Sequence, residues 1–142
     1  MIRSPRQPNS PRASGFTLLE VMIAVTVLAL LLTIMGPQIM QMSNRMEANA
    51  AAQQVLGDLE RARTEAIKRN TTVSLKKTGD STYSIQFVGS RALDGAVFAS
   101  APDSVAFAAY GPPTLGGETF VVQAGAHTKT VVLNAAGHAK VQ

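Results

Sequence analysis

Residues 21–44 form a run of 24 without a single charged side chain. Within it and just ahead of it, residues 16–35 are almost wholly apolar, broken only by Thr17, Glu20, Thr26 and Thr33. Twenty helical residues rise about 30 Å, the thickness of a hydrocarbon core. A chain of 142 residues rarely encloses a helix that is apolar on every face, so the run predicts a membrane span and not a buried core helix. Arg3, Arg6 and Arg12 precede the span and no arginine follows it until Arg45. This asymmetry predicts that residues 1–15 stay on the cytoplasmic side and that the rest is exported. Met35-Gly36-Pro37-Gln38 fits a small-residue signal cleavage site poorly, so the helix is expected to be retained.

The remaining composition narrows the function classes. Cysteine is absent, which removes disulfides, thiolate metal sites and thiol nucleophiles. Tryptophan is absent and aromatics are 5%, too few for a base-stacking platform. The net charge of +4 suggests an anionic partner at first sight. Three of the 13 basic residues lie in the first 15, however, and the other ten nearly balance the nine acids. Bulk electrostatic capture of nucleic acid is therefore not the default reading.

Glu20 sits one turn inside the apolar run. A carboxylate in a bilayer costs on the order of 3 kcal/mol on insertion scales, so it either finds a partner or lies near enough to the interface to snorkel or be protonated, and taken alone the second is favoured. Gly15-Phe16-Thr17-Leu18-Leu19-Glu20-Val21, with a basic leader ahead and an apolar helix behind, resembles the processing site of type IV pilins and type II secretion pseudopilins. The resemblance implies cleavage between Gly15 and Phe16 by a prepilin peptidase and N-methylation of Phe16. It also implies that Glu20 pairs with the terminal amine of a neighbouring subunit during assembly.

Gly36-Pro37 is expected to bend the helix without ending it. Residues 38–69 lack proline, hold one glycine (Gly57) and are rich in helix formers. Val55, Leu56, Leu59, Ala62, Ala66 and Ile67 recur at helical spacing as one apolar stripe. Arg61 with Glu65, and Glu65 with Arg69, are spaced for weak pairing, and the mixed charges of residues 58–63 read as a solvated face. Beyond residue 70 the pattern becomes short alternating segments at 71–76, 82–88, 96–99, 105–108, 119–123, 128–133 and 138–141, with turns at 78–81 and 134–137. The fold class expected is α+β: a long N-terminal helix, membrane-spanning in its first half, packed on an antiparallel β-sheet head. The divisions are a leader (1–15), a transmembrane half-helix (16–37), an amphipathic half-helix (38–70) and an exported head (71–142). The helix-to-strand junction, residues 59–75, resembles that of the GspH/FimT family of minor pilins and pseudopilins. That resemblance implies a head of two small antiparallel sheets closed by residues 131–137.

No catalytic constellation emerges. His127 and His138 lack neighbours at metal-ligand spacing, the serines show no nucleophile elbow, and Asp80, Asp94 and Asp103 sit in turn contexts. Neither an enzyme, a metal nor a cofactor is expected. Some DNA-uptake relatives carry a C-terminal Gly-Arg-x-Arg patch; the corresponding stretch here is Gly137-His138-Ala139-Lys140, with Lys129 a candidate on the adjacent strand. Histidine and lysine lack the bidentate fork of arginine, so a pilus-tip DNA receptor is the alternative and not the leading reading. The leading reading is a minor pilin or pseudopilin in the bacterial inner membrane, head in the periplasm. Its expected partners are other pilins, the prepilin peptidase and an assembly platform.

Overall fold

The computed structural model describes residues 15–142. The leader prediction for residues 1–15 thus falls, save for Gly15, outside the described residues. The chain forms two compact units, one through Pro37 and the other Gln38–Gln142.

Helix α1 (Leu18–Arg69) is 52 residues long and passes through Pro37 without a stop. Thr17 caps its start: the Thr17 hydroxyl accepts the Glu20 amide at 3.2 Å, and the Thr17 carbonyl accepts the Val21 amide at 3.2 Å. At its end Asn70 takes a positive φ of 48°, while the amides of Asn70 and Thr71 donate to the carbonyls of Ile67 and Ala66. This is a Schellman closure with asparagine in the left-handed position usually taken by glycine.

Eight strands follow in the second unit: β1 (Val73–Lys77), β2 (Thr82–Ile85), β3 (Gly89–Ala92), β4 (Val97–Ser100), β5 (Ser104–Phe107), β6 (Glu118–Ala124), β7 (His127–Leu133) and β8 (Ala139–Val141). They build two antiparallel four-stranded sheets, ordered β3-β2-β1-β5 and β4-β6-β7-β8. The two sheets are those the family resemblance implies. The turn at residues 134–137 links β7 to β8, which closes the second sheet as its edge strand.

One strand prediction needs correction. Residues 82–88 are not a single strand, because the chain turns at Gln86-Phe87-Val88 and returns as β3. Phe87 has φ 67°, an unusual conformation for an aromatic residue. The Arg69 guanidinium lies 4.7 Å from its ring centroid, a cation–π contact that helps hold it there.

The core lies between the second half of α1 and the sheets. The helix contributes mainly small residues: Ala48, Ala51, Ala52, Ala62 and Ala66, with Val55 and Leu59. The strands contribute the bulk, with Tyr83, Phe107 and Phe120 fully buried and Phe98 edge-on to Tyr83 at 5.7 Å between centroids. Alanine on the helix leaves room for the rings, each worth about 1.5–3 kcal/mol on burial. The predicted stripe is therefore corrected at two ends. It begins at Ala48, and Ile67, 51% exposed, is not part of it. Ile67 follows Ala66 by one residue and is therefore rotated about 100° away from the buried line of Leu59, Ala62 and Ala66.

Candidate assembly site

Every residue from 15 to 43 is exposed in the isolated chain. Phe16 is 83% exposed, and Leu18, Leu19, Ile23, Leu28, Leu31, Ile34 and Met35 all face outward. So long an apolar surface has no place in water and must be covered by lipid or by other chains. Its polar side chains are settled accordingly. The hydroxyls of Thr26 and Thr33 donate to the carbonyls of Met22 and Ala29 at 2.8 and 2.9 Å, one turn back, which removes unpaired donors from the span.

Glu20 is the exception. Thr17-Leu18-Leu19-Glu20 has the spacing of a capping box, but only the Thr17 half is made; among the described residues the Glu20 carboxylate has no hydrogen-bond partner. It lies on one face of the helix with Phe16, Val21, Ala24, Val25 and Leu28, where the small Ala24 leaves a shallow groove. A carboxylate in the first turn suits the helix dipole, yet in an apolar setting it still lacks a counter-charge. A cation arriving at the Phe16 end of this groove would supply it. Gly36 and Pro37 lie inside the helix, and neither interrupts it.

The reading of residues 58–63 as a solvated face is corrected at two positions. Asp58 is only 8% exposed and accepts a 2.7 Å hydrogen bond from the Tyr83 hydroxyl. Gln54 donates to the same hydroxyl at 3.2 Å and to the Ala92 carbonyl at 2.8 Å, and Arg91 Nε stands 3.9 Å from the Asp58 carboxylate. Burial, then the Asp58 carboxylate, hold the Tyr83 phenol well above its ordinary range. Arg63 is half-buried and donates to the Gly137 carbonyl at 3.3 Å. Asp58 thus ties the helix to strand β2, and Arg63 ties it to the β7–β8 turn. Of the two predicted helix pairs, Arg69 meets Glu65 at 2.8 Å and lowers the Glu65 carboxyl below its usual range, whereas Arg61 meets no carboxylate among the described residues.

Lys129, His138 and Lys140 are not brought together. Lys129 is opposite Val122, whose side chain is fully buried, so it shares the core-side face of the sheet with Val131. Lys140 is opposite Val132, one residue out of phase, and so belongs to the outer face. His138 is exposed at the β7–β8 turn, its amide donating to Asn134 Oδ1 at 2.9 Å. What sequence reasoning missed is a contact of His127: its Nε2 accepts from Arg45 Nε at 3.4 Å, across 82 residues of chain. Among the described residues no group of three His, Asp or Glu side chains is placed to hold a metal ion.

Comparison with known proteins places this geometry. Residues 10–36 match the prokaryotic N-terminal methylation motif, and residues 51–137 match the type II transport protein GspH family. Two crystal structures of the type IV minor pilin FimU from Pseudomonas aeruginosa strain PAO1 share the fold. The first, in space group P21, has a TM-score of 0.61 at 17% identity over 71% of this chain and 92% of that one. The second, in space group P65, has a TM-score of 0.57 at 18% identity over 66% and 91%. No curated protein matches significantly. The family match covers more than half of the chain, taking in most of the buried half of the helix and both sheets as far as the β7–β8 turn, so the chain belongs to the GspH family and carries an N-terminal methylation motif ahead of that domain.

Proposed function

We infer that the protein is a minor pilin or pseudopilin, a membrane-anchored subunit that assembles with other pilins in a type IV pilus or a type II secretion pseudopilus. The observation that carries this reading is an apolar half-helix, exposed along its whole length and headed by a methylation motif in which Glu20 has no partner among the described residues. A prepilin peptidase would cut between Gly15 and Phe16, and the new Phe16 amine would be methylated. The subunit would wait in the inner membrane with its head in the periplasm. On recruitment by the assembly platform, the apolar half-helix would exchange lipid for the helices of its neighbours. Glu20 would then receive the terminal amine of an adjacent subunit, an ion pair that low dielectric makes both strong and costly to leave half-made. Gly36-Pro37 would give the helix a point of local bending during that transfer.

Glu20→Ala tests the reading. It should leave peptidase cleavage intact and reduce incorporation into filaments by on the order of ten-fold or more, since an unpaired terminal amine is left behind. Recovery of the alanine variant in filaments at the normal level would contradict it.

A further inference from the structure

The Arg45–His127 contact belongs to a larger arrangement in the second unit. Arg45 on α1, and His127, Thr128 and Lys129 at the start of β7, line a notch of about 260 Å³ over Ala48. Two permanent cations and an imidazole converge there, and no acid lines the notch. The nearest acid on the helix, Glu47, is engaged elsewhere: it accepts from the Ser43 hydroxyl at 3.0 Å and lies against Gly95, where a Cβ would collide with it. His127 holds Arg45 through Nε alone, which leaves the two terminal guanidinium nitrogens to present a planar fork.

The surroundings of Arg45 point to the ligand. Arg45 is the first charged residue after the 24-residue uncharged run, which as helix amounts to about 36 Å, enough to cross the hydrocarbon and reach the far headgroups. On its other side Arg45 borders a second concavity with Gln38, Gln41, Met42 and Met46. Ile39, Met40, Met42 and Met46 are all more than 60% exposed. Exposed apolar side chains interleaved with amides and an arginine form the mixed composition of a membrane interface.

We propose that Arg45 and Lys129, braced by His127, form a receptor for the phosphate of an anionic phospholipid headgroup. The site rests on the membrane-anchored reading above. It would hold the head against the leaflet while the subunit waits for assembly, and release it when the helix leaves the bilayer. The arginine fork takes two phosphate oxygens, the lysine a third, and the methionine-lined concavity accommodates the start of the acyl chains.

The test uses the full chain in phosphatidylcholine vesicles doped with spin-labelled phosphatidylglycerol or, separately, spin-labelled phosphatidylcholine. The fraction of label immobilised by the protein is read in each. Phosphatidylglycerol should be preferred about five-fold or more, the effect of roughly one well-placed cation at an anionic surface. Arg45→Gln and Lys129→Gln should each reduce that preference. Arg45→Lys, which keeps the charge and guards against a mere folding defect, should retain part of it, and Lys140→Gln on the opposite sheet face should retain all of it. Equal immobilisation of the two lipids overturns the proposal, as does a preference that survives the paired Gln substitutions. Loss of the preference on adding inorganic phosphate, but not chloride at equal ionic strength, would make the notch a site for soluble anions and overturn the lipid assignment. A chain that inserts yet shows no preference defeats only this proposal, whereas a chain washed from the vesicles by alkaline carbonate defeats the membrane-anchored reading as well.

Discussion

The two halves of helix α1 solve opposite problems with different residues. From residue 18 to 43 every position is exposed and the apolar ones are mostly large: leucine, isoleucine, valine and methionine. From Ala48 to Ala66 the buried positions are mostly alanine, and the large side chains come from the strands. Hydrophobicity by itself therefore does not mark the folded core of this chain. Among the described residues the greasiest segment has no buried position, which leaves its surface to lipid or to other chains. The plainer segment anchors the head because its small side chains admit Tyr83, Phe98, Phe107 and Phe120.

This contrast can be broken by making the same substitution in each half. Ala62 is fully buried, and Ala62→Leu should destabilise the head by about 1–3 kcal/mol through overpacking against the strands. Ala24→Leu, on the exposed half, should change head stability by less than about 0.5 kcal/mol. Thermal unfolding of the full chain in detergent, followed by near-ultraviolet circular dichroism, distinguishes the two. Equal effects would mean that the halves are not physically distinct.

A smaller effect sharpens the account of the buried polar link. Tyr83→Phe removes the donor to Asp58 and should cost about 1–2 kcal/mol. It should also change the alkaline limb of stability. The Tyr83 phenol is held neutral in the folded state by burial and by the Asp58 carboxylate. Its folded pKa thus lies above its unfolded one, so its contribution is complete below about pH 10 and declines as pH rises beyond that. The wild type should lose stability in that window, and Tyr83→Phe should lose less. Parallel alkaline curves for the two proteins would show that this phenol is not the group responsible.

The parts legible in the sequence were those written locally. Phe16, Glu20 and the apolar run lie within one short stretch, and turn residues at 78–81 and 134–137 located two hairpins. The parts that escaped depend on distant partners or on parity. Alanine carries little hydropathy signal, so Ala48, Ala51 and Ala52 did not stand out as core, while Ile67 did although it is exposed. Asp58 and Arg63 read as surface charges because their partners, Tyr83 and Gly137, lie 25 and 74 residues away. Phe87 gave no sign of a turn, since it takes its positive φ without being a glycine or asparagine. Lys129 and Lys140 lie on neighbouring strands, as expected, but strand alternation puts them on opposite faces, which no residue count could show without the register.

A subunit that assembles as proposed has Phe16 as its first residue. Mass spectrometry of the protein recovered from native membranes or sheared filaments reads this directly. The predicted result is a chain that starts at Phe16, bears one methyl group on its amine and keeps the whole apolar helix. A chain that retains Met1, or one whose terminus lies beyond Met35, would contradict it.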